Sequence, residues 1–328
     1  MRRREFITLL GGAVAVWPLA ALAQQPGKVA RVGVLGPGLD NPVMAAGYPN
    51  FLSELRKLGF TEGQNLVVEH RRIDEGMPKA FAAANELGAA KVEVLVADGP
   101  EIALIAAASV RPAVPIVMLA NNYDPITRGY VASLARPGGN VTGLMYRQPE
   151  LAVKQLELLV EAFSDRTRVG VLWDSLSADQ FAAAESAARS MRLALRPFKL
   201  ENPPYDFDGA FQMMAQDQVR MLLVLSSPLF TRDMVHIGEL ATRHGLPSMF
   251  IFKIYVEAGG LMSYGVDSSL QWRRTASYVA KILRGAQPAE LPVEQVNNFE
   301  FALNLKTAKA IGVVLPTSIL LRADEVIE

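Results

Sequence analysis

Val92-Glu93-Val94-Leu95-Val96-Ala97-Asp98-Gly99-Pro100 runs into Glu101-Ile102-Ala103-Leu104-Ile105-Ala106-Ala107-Ala108, and then into Pro115-Ile116-Val117-Met118-Leu119. The run 92–97 is short, valine-rich and mostly apolar, as a strand buried in a parallel sheet should be. Asp98-Gly99-Pro100 stops it. The stretch 101–110 is rich in Ala and Ile and reads as a helix. A further strand over 115–119 ends at Asn121-Asn122-Tyr123-Asp124. Strand, helix and strand joined by short turns make a βαβ unit with parallel pairing.

The same unit repeats on both sides. Upstream, 29–35 is a strand closed by Gly36-Pro37-Gly38. A helix with Phe51, Leu52, Leu55 and Leu58 on one face stops at Gly59. A strand over 65–68 and a helix over 79–90 follow. Downstream of Asp124 a helix is expected to about Ala135, then a Pro137-Gly138-Gly139 turn and a short strand through Val141. The pattern then restarts. Helices are expected over 150–163, 178–191, 207–215 and 231–244. Strands are expected over 169–173, 193–198, 221–225 and 247–252. The end returns to helix over 271–283, crosses a proline-marked segment over 288–292, and closes over 303–312. Two consecutive βα series imply an α/β fold of two doubly wound parallel-sheet lobes. Neither an all-α nor an all-β reading fits.

The chain has 328 residues, enough for about two domains. Half of the residues are hydrophobic, which excludes a disordered chain. The formal net charge is zero and no basic run could track a phosphate backbone, so nucleic acid is not an expected partner. With no cysteine there are no disulfides, thiolate metal sites, cysteine nucleophiles or lipid-anchored cysteine.

Arg2-Arg3-Arg4-Glu5-Phe6-Ile7 opens an apolar stretch to Ala23 that is broken by Gly11, Gly12 and Pro18. It ends in Ala21-Leu22-Ala23, a small-x-small cleavage pattern. Residues 1–23 therefore read as a signal peptide of twin-arginine type, cleaved after Ala23, and the periplasm is the expected location. A transmembrane anchor is the competing reading, but the stretch is short for one and carries Gly and Pro.

Ligands of open parallel sheets bind beyond the carboxyl ends of the strands, where helix N-termini expose free N–H groups. Five such ends are candidates: Gly36-Pro37, Asp98-Gly99-Pro100, Asn121-Asn122 with Asp124, Trp173-Asp174, and Ser226-Ser227. If the lobes face one another, these loops line one cleft. Trp173 and Tyr146 could give it flat walls with polar tips. Asp98, Asp124 and Asp174 are equally at home as helix caps, as are Ser226 and Ser227, and Trp173 could be core.

Catalytic signatures are lacking. There is no Gly-x-Ser-x-Gly elbow and no phosphate-binding loop, and the third glycine of a dinucleotide fingerprint begun at Gly36 falls on Asn41. The histidines are His70, His236 and His244; the last two lie eight apart, not the four that would share a metal on one helix face. No cofactor, no metal and no enzymatic activity are expected.

Several stretches carry a family likeness. Gly59-Phe60-Thr61-Glu62-Gly63-Gln64-Asn65 is one. Asp124-Pro125 followed by Val131-Ala132-Ser133-Leu134-Ala135-Arg136-Pro137-Gly138-Gly139-Asn140-Val141-Thr142-Gly143 is the most specific. Val256-Glu257-Ala258-Gly259-Gly260-Leu261-Met262-Ser263-Tyr264-Gly265 is a third. Asn304-Leu305-Lys306-Thr307-Ala308-Lys309-Ala310 and Arg322-Ala323-Asp324-Glu325-Val326-Ile327 complete it. Over nearly its whole mature length the chain resembles the periplasmic substrate-binding proteins of ABC transporters, in the group named for tryptophan/tyrosine uptake.

That resemblance implies a type I periplasmic-binding-protein fold with three crossings, near Gly143, Gly265 and Val296. One lobe would comprise 24–143 and 265–295, the other 144–264 and 296–328. It further implies hinge closure on a small-molecule ligand, amino-acid-like or aromatic and polar, with a membrane permease as partner and a monomer as the working state. A ligand-sensing receptor subunit, or an exported α/β enzyme, is the alternative. The chain departs from the family where Asp98 and Glu101 replace a small hydroxyl or glycine pair, and where Trp173-Asp174 replaces Asn-Pro. Carboxylates at Asp98 or Asp174 would repel an acidic ligand, favouring one with an amine or several hydroxyls plus an apolar part.

Overall fold

The computed structural model describes residues 29–73, 76–164 and 167–328. The expected signal segment 1–23 lies outside the described residues. The first series of strands is β1 (Ala30–Gly36), β2 (Leu66–Arg72), β3 (Val94–Gly99), β4 (Ile116–Ala120) and β5 (Val141–Met145). The second is β6 (Arg168–Trp173), β7 (Ala194–Lys199), β8 (Met221–Val224), β9 (Ser248–Phe250) and β10 (Met262–Val266). β11 (Glu294–Gln295), β12 (Phe299–Asn304) and β13 (Glu325–Ile327) follow.

These strands form two sheets. The first runs β11-β5-β4-β3-β1-β2 and is parallel throughout. The second runs β13-β12-β10-β9-β8-β6-β7 and is parallel except where β10 meets β12. Burial on both faces explains the unbroken apolar runs: all five residues of β4 are buried. In the first sheet, helices Met77–Ala89 and Glu101–Ser109 cover one face, and Pro42–Lys57 and Ser268–Leu283 the other. In the second, Gln148–Ala162 and Ala178–Ser190 cover one face, and Phe207–Gln216 and Met234–Arg243 the other.

Three expectations need correction. No helix forms between Asp124 and Ala135. Asp124 Oδ1 accepts from the N–H of Ile126 at 2.8 Å, the Arg128 N–H returns to the Asp124 carbonyl, and Gly129 at φ +76° ends the winding after one turn. The helix expected over 231–244 is split at Asp233 into Pro228–Arg232 and Met234–Arg243. The final segment is richer in strand than its pattern suggested, because β12 returns antiparallel beside β10 and brings β13 with it.

The chain passes between the sheets three times. It goes from β5 into helix Gln148–Ala162 through Tyr146 and Arg147, back from β10 into helix Ser268–Leu283 through Asp267, and forward from β11 to β12 over 296–298. Beside these passages Tyr146, Leu151, Ile251 and Val266 form a small apolar cluster, with Phe252, Tyr264, Val296 and Phe299 packed on it. Gln155 Nε2 donates to the Tyr264 carbonyl at 2.7 Å and ties the helix that follows the first passage to the strand that precedes the second.

Gly143, in β5 just before the first passage, holds φ +132°, and a Cβ there would stand 2.2 Å from the Met118 carbonyl oxygen. The obstacle is backbone, so it cannot turn aside. Gly143→Ala should therefore destabilise the protein by at least about 2 kcal/mol in urea unfolding. Gly139→Ala, with nothing within 4 Å, should stay within about 0.5 kcal/mol of the parent.

Candidate ligand-binding site

The carboxyl ends of the two sheets enclose a cavity of about 110 Å³. From the first sheet come Pro37 after β1, Asp98, Gly99 and Pro100 at β3, and Asn121 and Asn122 after β4. Tyr146 and Gln148 enter at the first passage. The second sheet contributes Leu176, Ser226, Pro228, Thr231 and Phe252. Helices Pro42–Lys57 and Ser268–Leu283 close it with Asn41, Val43, Met44, Gln271 and Trp272.

Trp272 lines the cavity from a largely buried position. Its ring packs edge-on against Phe51 with centroids 5.5 Å apart, and against Tyr48 at 6.1 Å. Gly47 makes room for it, since a Cβ there would stand 2.1 Å from the indole Cδ1. Asn41 caps helix Pro42–Lys57 by accepting from the N–H groups of Val43 and Met44, at 3.1 and 3.3 Å.

A buried amide network sets the floor. Gln180 is almost fully buried. Its Nε2 donates to Gln148 Oε1 at 2.9 Å and to the Ser226 carbonyl at 3.0 Å, and its Oε1 accepts from the Ser226 N–H at 2.9 Å. Gln148 Nε2 in turn donates to Ser226 Oγ at 3.0 Å and, at 3.4 Å, to the Tyr146 hydroxyl. Buried groups joined this completely hold one geometry, because each lost partner would cost about 1–3 kcal/mol. Across the cleft, Asn122 Nδ2 donates to the Leu176 carbonyl at 3.3 Å.

Not every expected residue lines the cavity. Gly36 lies just behind it, where a Cβ would stand 3.0 Å from that of Asp98. Asp124 is occupied by its own turn. Trp173 turns away and stacks on Phe181 at 4.3 Å, with the Lys199 ammonium over its ring. Asp174 is fully buried and saturated: it accepts from Leu176 N, Ser177 N, Ser177 Oγ, Tyr205 Oη and Ser227 Oγ. Ser227 is thereby bound to Asp174, and it caps helix Pro228–Arg232. Glu101 accepts from the Tyr130 hydroxyl at 2.9 Å and pairs with Arg128, outside the cavity. Gln271, Trp272, Phe252, Thr231 and Asn41 were missed. The Asn41-Pro42 pair and Asp267 are readable helix starts, and both mark helices that open on the cavity.

Asp98 stands apart from the other carboxylates. No hydrogen bond or ion pair reaches its carboxyl among the described residues, and burial alone pushes that carboxyl up from 3.8 to about 7. The buried Asn121 Oδ1, Asn122 Oδ1 and Gln271 Nε2 also lack partners. Because the folded state holds Asp98's proton more tightly than the unfolded chain, its contribution to stability is complete below about pH 4 and lost as pH rises through about 7. Asp98→Asn removes that dependence. In unfolding series from about pH 5 to about pH 8, the parent should lose stability relative to the variant; parallel profiles would contradict this.

The family model described as ABC transporter substrate binding protein matches residues 31–327. A tyrosine-binding protein from Clostridioides difficile (strain R20291) is 21% identical over 283 residues, 83% of this chain and 78% of the relative. Among solved structures, a conserved domain protein from Vibrio cholerae superposes with a TM-score of 0.81 at 24% identity, covering 91% of this chain and 100% of that one. The ABC domain in complex with L-Trp from Streptococcus pneumonia superposes with a TM-score of 0.79 at 24% identity, covering 91% and 99%. The fold is that of the type I periplasmic binding proteins. With the family model matched from β1 to β13, the chain belongs to the ABC transporter substrate binding proteins.

Proposed function

We propose that this protein captures a small organic ligand between two α/β lobes in the periplasm and delivers it, unchanged, to a membrane permease. The observation that carries this reading is the cavity between the sheets, where Asp98, Asn121, Asn122 and Gln271 present polar atoms with no protein partner. Buried polar atoms are normally paired, so a ligand that pairs them is the economical explanation. Trp272, Phe252 and Met44 offer it apolar surface. The tyrosine-binding relative and the L-Trp complex support an amino-acid-like or aromatic ligand.

Closure would be a hinge motion about the three passages. The Asn122–Leu176 hydrogen bond spans the cleft and would break on opening. No helix among the described residues is long and apolar enough to cross a membrane. The twin-arginine pattern in residues 1–23 supports export. The lobes are proposed as 24–143 with 265–295, and 144–264 with 296–328, acting as a monomer.

The test is a thermal-shift screen of the chain from Gln24 against amino acids, aromatic acids, polyamines and sugars. A ligand at a hundred times its dissociation constant should stabilise the fold by about 2.7 kcal/mol and be recovered intact. Chemical conversion of the compound would contradict the reading. Trp272→Leu should weaken binding at least about tenfold, roughly 1.4 kcal/mol. Trp173→Leu, outside the cavity, should leave affinity unchanged.

A further inference from the structure

We propose that the ligand is an organic cation, a protonated amine on an apolar or aromatic body without an ionised carboxylate, with Asp98 as its counter-ion. This rests on the receptor reading of the same cavity and names the ligand class.

The charge inventory is one-sided. Among the described residues, Asp98 is the one carboxyl that lines the cavity, and no Lys, Arg or His lines it. The other nearby carboxylates are spent: Asp174 on five donors, Glu101 on Tyr130 and Arg128, and Asp124 on its own turn. The spare hydrogen-bonding atoms lean the same way. Asn122 Oδ1 is buried without a partner, and its orientation is fixed because turning the amide over would break the Nδ2 bond to the Leu176 carbonyl. Asn121 Oδ1 is a second free acceptor, and among the described residues Gln271 Nε2 is the one buried side-chain donor left over at the cavity. Two amide acceptors and one carboxylate match the three N–H bonds of an ammonium.

A zwitterionic amino acid fits less well. Its carboxylate would need donors, and those remaining are Gln271 Nε2 and the first turn of helix Glu101–Ser109, which has no side-chain cap. That turn begins three residues after Asp98, so an α-carboxylate seated there would lie beside a second carboxylate with no cation between them. Trp272 and Phe252 suit the apolar or aromatic body, and an indole face also attracts a cation.

Asp98 also gives the site a pH response. The titratable groups coupled to it are the phenols of Tyr123 and Tyr146, both pushed up by burial and neutral at physiological pH. With the free carboxyl raised to about 7, binding a cation draws off its proton, so affinity should rise with pH through that range.

The experiment is isothermal titration of the chain from Gln24 with a matched series: phenethylamine, L-phenylalanine and 3-phenylpropionate. Phenethylamine is expected to bind at least about tenfold more tightly than either carboxylate-bearing probe. Its affinity should rise at least about tenfold between about pH 5.5 and about pH 8. Asp98→Asn, with folding confirmed by circular dichroism, should abolish both the preference and the pH dependence. L-phenylalanine or 3-phenylpropionate binding as tightly as the amine would overturn the inference and leave the receptor reading intact. An amine preference that survives Asp98→Asn would overturn the role of Asp98. No binding by any of the three would overturn the inference, and the receptor reading would fall with it only if the broad thermal-shift screen were also silent.

Discussion

A parallel sheet leaves the carboxyl ends of its strands facing helix N-termini, and here two such ends are turned toward one another by three passages of the chain. Everything at the site follows from that constraint. Tyr146, Leu151, Ile251 and Val266 form a small apolar cluster at the junction. The hinge motion proposed above would turn on this junction, with each sheet covered by helices on both faces.

Within that frame the polar residues divide into two sets. Gln180, Gln148, Ser226 and the Asp174–Ser227–Tyr205 group are hydrogen-bonded to one another. They shape the walls and are poor candidates for direct ligand contact, with Gln148 and Ser226 the partial exceptions because they also line the cavity. Asp98, Asn121, Asn122 and Gln271 have atoms left over. The contrast between Asp98 and Asp174 is instructive: Asp98 lies in the last residues of β3 and Asp174 directly follows β6, yet Asp174 is saturated by five donors and the Asp98 carboxyl meets none. Proximity to a strand end does not decide function; the supply of local donors does.

Most of the fold was legible in the sequence, because apolar strand runs and helical apolar stripes alternate from β1 to β9, with the stretch after Asp124 and the break at Asp233 as the exceptions. The likeness in the 131–143 and 256–265 stretches pointed to the family that the comparison then established. The misses have local causes. The Asp124 turn uses side-chain capping and Gly129 to end a helix that apolar spacing alone would have extended. The antiparallel return of β12 depends on pairing with β10, which no local pattern announces. At the site, the loops after β1, β3, β4 and β8 were found because strand ends are readable. Trp272 and Gln271 were missed because they arrive from far along the chain, on a helix packed against Pro42–Lys57. Trp173 was taken as a candidate cleft wall from its place at a strand end, but its side chain stacks on Phe181 of helix Ala178–Ser190 instead.

The proposed placement of the ligand against Trp272 is the point on which the rest turns, and fluorescence reads it directly. The full chain contains three tryptophans. Beginning at Gln24 and replacing Trp173 with Phe leaves Trp272 as the sole indole. Titration with a ligand transparent at the indole excitation wavelength should produce a saturable change in emission, with the same dissociation constant as calorimetry. Binding seen by calorimetry with no change in Trp272 emission would place the ligand elsewhere and contradict the assignment of this cavity.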